Sequence, residues 1–470
     1  MRALLTFLSI TLCISILVVV PHLIAPSYLV EYGPVTVFDV SAAILLCLIL
    51  AAGCGLLIYR SGDHGHSLLT LFIAALLVRM AVATTIFVFH WQDFFGGDAL
   101  TYDYYGLMQA KGWNGDSTAG SIASAYIGEG IGPGWGMVYL VGGVYSLVGH
   151  NMLAVQFVNC VMGAATVAAV FLSAYQIFSN LRVARLAAVI VAFYPSLVLW
   201  SSQGLKDGPI VFFLALAVLS TLKLGQRFSI TQVTILGCSL FALMTLRFYI
   251  FYMMVVAIGG AFVIGMRAFS TKSFVRQFVV IVVLGLAMTY LGVIRYVGPQ
   301  FERYGNLQKI QLSRLDASTT AETGFAKDVD VSTTSGALST IPLGLLYLLF
   351  APFPWQLGSL RQSITLPEMI TWWASFPMLV LGFWFSVRYR LRQISPILIF
   401  TVMLSLAYSV FQGNVGTAYR QRAQLLVFYF IFVAVGYVLM LEKREERKRV
   451  ELATGEKFPT GTITGSTPPG

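Results

Sequence analysis

An all-α polytopic membrane protein is the fold class this sequence predicts, and three observations predict it. Of 470 residues, 57% are apolar and only 11% are Asp, Glu, Lys or Arg, against roughly 25% charged in a soluble domain. The apolar residues gather in long runs, and at about 20 apolar residues per bilayer-spanning helix the ceiling is roughly thirteen spans. No long polar stretch remains for a soluble catalytic domain, so any chemistry falls to loops and helix ends at the membrane surface. The third observation is charge: 30 basic against 20 acidic residues give +10. In a polytopic protein that excess marks cytoplasmic loops, and it predicts no nucleic-acid partner.

The elements follow in chain order. Met1 and Arg2 precede an apolar run over 4–24, and Ala25 and Pro26 make a poor cleavage site, so this run reads as an uncleaved anchor. Further runs fall at 37–58, 68–90, 152–178, 183–200, 209–226, 230–249, 250–267, 274–294, 367–387, 395–411 and 423–441, giving about 12 spans. Two more are ambiguous: 134–149 is short and rich in Gly, Trp and Tyr, and 338–357 is broken by Pro342, Pro352 and Pro354.

Orientation decides both. With twelve spans, Arg60, Arg182 and Arg185, Lys223 and Arg227, Arg267, Lys272 and Arg276, and Arg388, Arg390 and Arg392 all face the cytoplasm. Making either ambiguous run a span would put a basic cluster outside. Both are therefore expected as juxtamembrane helices on the outer face, with Trp135, Tyr139 and Trp355 in the headgroup zone. The expected organisation is one transmembrane domain over 1–441, with large outer loops at 91–151 and 295–366 and small ones at 201–208 and 412–422. A disordered cytoplasmic tail is expected over 442–470. Cys13, Cys47, Cys54, Cys160 and Cys238 lie inside apolar runs without ligand spacing, so neither a disulfide framework nor a zinc site is read.

Three outer constellations could carry chemistry. In FFGGDALTYDYYGLMQAKG, residues 94–112, Gly96 and Gly97 turn the chain into a short amphipathic helix with Asp98 at its N-cap and Asp103 a turn later. In PSLVLWSSQGLKDGP, residues 195–209, Lys206 and Asp207 adjoin where a helix begins, and Asp207 suits a capping role. In GNVGTAYRQR, residues 413–422, Arg420 and Arg422 break the positive-inside pattern, to which a bound anion or snorkelling to lipid headgroups would be the answer. Arg79 and Arg247 are further charges in or beside apolar runs, where ionisable groups are costly and mark function or structural pairing. His64 and His66 read as loop residues, and GEGIGPGWG, residues 128–136, as a flexible loop.

Together these segments resemble the polytopic glycosyltransferases of the GT-C fold, which include protein O-mannosyltransferases and lipid A aminoarabinose transferases. The resemblance covers roughly residues 90–225. GGDALTYDYYG matches the acidic outer loop, GPGWGMVYLVGGVYSLVGHN the juxtamembrane helix, and VQFVNCVMGAATVAAVFLSAYQIF the following helix. LAAVIVAFYPSLVLWSSQGLKD places the second acidic position at Asp207, and AYRQR supplies the arginine-bearing turn before the last span. Two spans precede the one that feeds the acidic loop, where many members have one, and Lys206 has no counterpart in the pattern.

The resemblance implies transfer of a sugar from a polyprenyl-phosphate donor to a glycan, lipid or protein acceptor at the outer face of a bacterial inner membrane, with both termini cytoplasmic. Such a displacement needs a carboxylate base for the acceptor hydroxyl and cations for the departing phosphate. Asp98 is the expected base, Asp103 and Asp207 the orienting carboxylates, and Lys206, Arg420 and Arg422 the phosphate ligands. A divalent metal stays open, and membrane lipids are the standing partners. A polysaccharide polymerase or O-antigen ligase is the rival enzyme. A lipid or glycan transporter is the rival outside enzymology, although the two halves show no internal repeat.

Overall fold

The computed structural model describes residues 37–95, 97–128, 134–265, 285, 306–320, 323–325, 329–358 and 360–454. The expected spans over 4–24 and 274–294, and residues 455–470 of the expected tail, lie outside the described residues. Everything described is helix or connection, with one isolated bridge between Gly324 and Asn414. Six described helices are long and apolar enough to cross a membrane, seven if a bent pair counts as one span. Four shorter apolar helices accompany them.

Helices α1 (Val37–Tyr59) and α2 (Gly65–Val88) pack on α7 (Met152–Phe178), the centre of the bundle. The middle of α7 is rich in Gly and Ala, whose small side chains let neighbouring backbones approach closely. Between α2 and α7 the chain makes α3 (Gln92–Phe95), α4 (Asp98–Trp113), α5 (Ser117–Ile127) and α6 (Trp135–Val148). Gly134, which starts α6, touches Lys206, while Asn151, just past its end, donates to the Asp39 carbonyl at the start of α1 (2.6 Å). Both ends of α6 thus meet the same end of the bundle.

After α7 the chain forms α8 (Leu181–Phe193), α9 (Pro195–Ser201), α10 (Asp207–Gln226), α11 (Ile230–Leu246) and α12 (Phe248–Gly265). The run expected as one helix over 183–200 is the bent pair α8 and α9, which meet at 56°. Pro195 is the cause: it drives Tyr194 out of helical geometry (ψ 123°) and then opens the next helix at its first position. Later come α13 (Leu307–Thr320), α14 (Thr334–Phe350), α15 (Leu360–Phe411) and α16 (Val415–Thr454). α15 breaks at Arg390 (φ −133°, ψ 20°), dividing the two expected spans. α15 and α16 cross where Gly382 and Gly436 face each other's backbones, and a Cβ at either glycine would overlap a carbonyl of the other helix.

The expected disordered tail is corrected over its first part, because α16 continues as helix to Thr454. Its base is tied to the start of α8: Asn180 donates to Glu442 at 3.2 Å, and Arg182 pairs with Glu445 at 2.9 Å. The starts of α4, α10 and α16 and the junction of α11 with α12 meet at the opposite end, which carries the polar centre.

Candidate active site

Asp98 and Asp207 reach this centre by the same local device. Each is the first helical residue after a tight turn, with Gly97 and Lys206 respectively at the N-cap, and neither N-cap side chain makes a capping bond. The expected capping roles are therefore corrected: both carboxylates turn to one guanidinium. Arg420 donates through Nη1 to Asp98 Oδ2 at 2.7 Å and through Nε to Asp207 Oδ2 at 2.6 Å. Its Nη2 lies 2.6 Å from the same Asp207 oxygen but lacks hydrogen-bond geometry to any partner. The Asp207 side chain is fully buried, whereas that of Asp98 is 56% exposed.

Two further cations complete the group. Arg247, between α11 and α12, brings Nη2 to 3.7 Å from Asp207 Oδ1, which has no hydrogen-bond partner. Its Nη1 donates to the Tyr408 hydroxyl at 3.3 Å, and that hydroxyl donates to Gln424 at 2.6 Å. Lys206 Nζ stands 5.7 Å from the centre of the Tyr102 ring and against Gly134. Burial, with Arg247 beside it, pulls the Lys206 ammonium down to about 8, and Asp207 opposes that pull. Three cations thus face two carboxylates, so with Lys206 protonated the centre carries one positive charge in excess.

The scaffold beneath is rigid. Asn159 of α7 donates to the carbonyls of Gln203 (2.6 Å) and Leu205 (2.8 Å), fixing the turn that presents Lys206. Arg79 of α2 is buried at the α8–α9 break, donating to Ser201 Oγ at 2.9 Å and to the carbonyls of Ala192 (2.8 Å) and Val191 (3.2 Å). Those carbonyls are left open where α8 stops short of Pro195, so Arg79 supports the bend. It had no local signal beyond a charge in an apolar run. Arg247 carried the same signal, whereas Asn159 and Tyr408 carried none.

Two expected site residues are placed elsewhere. Asp103 is buried and takes the Tyr145 hydroxyl and the His150 ring, with His150 Nε2 at 3.1 Å from each carboxylate oxygen. It holds α4 against α6 and does not meet Asp98. Arg422 points away from Arg420, donating to the carbonyls of Leu349 and Ala351, each at 3.1 Å, where α14 ends. Among the described residues no group of three or more His, Cys, Asp or Glu side chains is placed to hold a metal ion. The two carboxylates are already shared with three cations, a donor set that does not fit a divalent cation.

A cavity of about 900 Å³ opens beside the centre, and Arg420 lines it. Most of the wall is apolar, with Val78 and Val82 from α2, Phe94, Phe193, and Leu360 and Ile364 from α15. A cationic centre at the edge of an apolar cavity suits an amphiphile with an anionic head.

Fold and site define a polytopic membrane protein whose charged centre sits beside an apolar cavity, and a family model over part of the chain bears out the resemblance to GT-C glycosyltransferases. Residues 134–292, about a third of the chain, match the family model described as dolichyl-phosphate-mannose-protein mannosyltransferase. The match begins at the glycine that touches Lys206 and takes in Lys206, Asp207 and Arg247. Among solved structures the chain is similar to the archaeal oligosaccharyltransferase AglB from Archaeoglobus fulgidus in complex with an inhibitory peptide and a dolichol-phosphate. That similarity has 14% identity and a TM-score of 0.41, and it covers 70% of this chain and 44% of that one. The apo form of the Archaeoglobus fulgidus oligosaccharyltransferase gives 13% identity and a TM-score of 0.44, covering 81% of this chain and 52% of that one. The chain thus spans about half the length of these oligosaccharyltransferases or less. No curated protein sequence matches it.

Proposed function

We propose that this chain transfers a sugar from a polyprenyl-phosphate donor to an acceptor at the outer face of the membrane, in the assembly of a cell-envelope glycan or glycolipid. The observation that carries the reading is the convergence of Asp98, Lys206, Asp207, Arg247 and Arg420 beside an apolar cavity. The prenyl chain lies in the cavity and the phosphate meets Lys206, Arg247 and Arg420, which the unbalanced positive charge favours. Asp98, the exposed carboxylate, takes the proton from the acceptor hydroxyl as its oxygen bonds to the anomeric carbon. The bond from that carbon to the phosphate oxygen breaks, and the charge released onto the phosphate is held by the cations. Asp207, buried and bound to Arg420, orients that guanidinium. Arg422 and Asp103 belong to the support of the helices.

The family match supports a lipid-phosphate sugar donor through the donor that its description names. Basic clusters at the other end of the helices support an outer position for the centre and a cytoplasmic C-terminus. The test is binding of undecaprenyl phosphate to the purified protein in nanodiscs, measured for the parent and for Arg420→Ala and Arg420→Lys. Loss with Ala and partial retention with Lys are expected, since an ammonium cannot reproduce the guanidinium fork. Equal binding by all three would overturn the assignment. Binding of polyprenyl diphosphate alone would turn the reading towards a polymerase or ligase.

A further inference from the structure

Among the polar side chains of the cavity wall is a buried carboxylate that a prenyl chain cannot use. This is Glu368, 6% exposed, within a membrane-spanning part of α15. One carboxylate oxygen accepts the Tyr419 hydroxyl at 2.7 Å, and the other has no hydrogen-bond partner. Beside it lie the buried hydroxyls of Ser196 and Tyr194, near enough to the carboxylate to interact with it but outside full hydrogen-bond geometry. Ser196 and Tyr419 also line the cavity. An ionisable group at this depth is costly and calls for a partner. Arg422 stands close enough to offset its charge, which leaves acceptor capacity rather than uncompensated charge to be satisfied.

Position supplies the second half of the argument. Tyr419, which bonds Glu368, directly precedes Arg420 on α16, and both line the same cavity. A group joined to a phosphate at Arg420 therefore lies next to the Glu368 patch. The group joined to the phosphate in the proposed donor is the sugar, and sugar hydroxyls are the donors that an open carboxylate oxygen accepts.

We infer that Glu368, with Ser196 and Tyr419, forms a subsite that reads a hydroxyl of the donor sugar and so discriminates sugar-bearing lipid phosphate from bare lipid phosphate. This rests on the proposed function, and it assigns sugar recognition to a residue outside the charged centre.

The experiment compares the affinity of purified protein in nanodiscs for undecaprenyl phosphate with its affinity for undecaprenyl-phosphate-linked mannose, glucose and 4-amino-arabinose. The parent prefers at least one sugar-bearing lipid. Glu368→Gln lowers affinity for that lipid by roughly 10- to 100-fold, the range for a lost hydrogen bond to a charged group, and leaves bare undecaprenyl phosphate within about twofold. Ser196→Ala, a milder change from another helix, moves the same ratio in the same direction, and Glu368→Asp restores part of it. A structural role alone would lower both affinities together or change only thermal stability, and either result overturns the inference. If the parent binds bare lipid phosphate but no sugar-bearing form more tightly, the subsite fails while the phosphate site stands. If the parent binds neither, the proposed function fails and the subsite with it.

Discussion

The two carboxylates on Arg420 differ in exposure, and that difference predicts opposite outcomes for the same substitution. Asp98→Asn removes a charge from a side chain that is 56% exposed. An ion pair open to water is worth about 0–1 kcal/mol, so the thermal midpoint of the purified protein should hardly move. Transfer should fall by roughly 10² to 10⁴, as for a lost general base, which corresponds to about 2.7–5.5 kcal/mol of activation free energy. Asp207 is fully buried with Arg420 at 2.6 Å and Arg247 at 3.7 Å. Neutralising it leaves those guanidiniums and Lys206 facing one another, and removing one partner of a buried pair costs about 3–5 kcal/mol. Asp207→Asn keeps a hydrogen-bond acceptor, so the lower part of that range applies, seen as a thermal midpoint several degrees below the parent. The assays are thermal unfolding in one detergent and transfer to acceptor at saturating donor. Near-parental transfer by Asp98→Asn would remove it as the base, and parental stability of Asp207→Asn would refute the argument from burial.

Three further outcomes follow from the same geometry. Lys206 titrates at about 8 among Tyr102, Asp98, Asp207, Arg247 and Arg420. Donor affinity should fall as pH rises through 8, and Lys206→Met should remove that step from the binding profile. Its effect on stability runs the other way: the unfolded chain keeps this proton up to about 10.5, so the fold gains stability from this residue between about 8 and 10.5 and loses it again as pH falls towards 8. Gly134 has φ +76°, and a Cβ there would lie 2.8 Å from Lys206 Nζ. Gly134→Ala should therefore weaken donor binding severalfold, with little further loss when Lys206→Met is added. Single cysteines in a cysteine-free background, placed at the exposed positions of Lys111, Arg185 and Arg388, should label from outside at 111 and from inside at 185 and 388. Labelling of 185 from outside would make α6 a span and reverse the assigned faces.

Much of this was legible because membrane sequences confine polar groups to the few places they can be tolerated. Apolar runs placed α7 at its structural bounds, and charge flagged Lys206, Asp207 and Arg420, whereas the apolar run across Pro195 predicts one continuous helix in place of the α8–α9 bend. Roles within the centre were less legible, since they depend on partners that spacing does not reveal. Asp98 and Asp207 look like helix caps in isolation, but their shared partner lies 322 and 213 residues away. Asp103 looks solvated until Tyr145 and His150 close over it. Glu368 is a single carboxylate near the start of an apolar run, with nothing nearby to announce the cavity it lines. The helical start of the tail did have a local signal: Glu445 precedes Arg449 by one turn, a favourable spacing on a helix already under way.

Arg420 and Arg422 show how one violation of the charge rule can have two physical answers. They stand two positions apart, about 200° around a helix, and so face different surroundings. Arg422 is buried, its Nη1 donating to the carbonyls at the end of α14 and its Nη2 to the Met369 sulfur, while its Nε has no hydrogen-bond partner. That end of a helix carries partial negative charge and suits a cation; with Glu368 nearby, Arg422 needs no external anion. Arg420 meets two carboxylates, yet these must also serve Arg247 and Lys206, and one of its nitrogens and one Asp207 oxygen remain without hydrogen bonds. Its surroundings therefore remain a cation in excess, beside a cavity whose walls suit a lipid chain. An anion tethered to such a chain satisfies both conditions at once, whereas a free anion answers only the charge and a neutral lipid only the cavity.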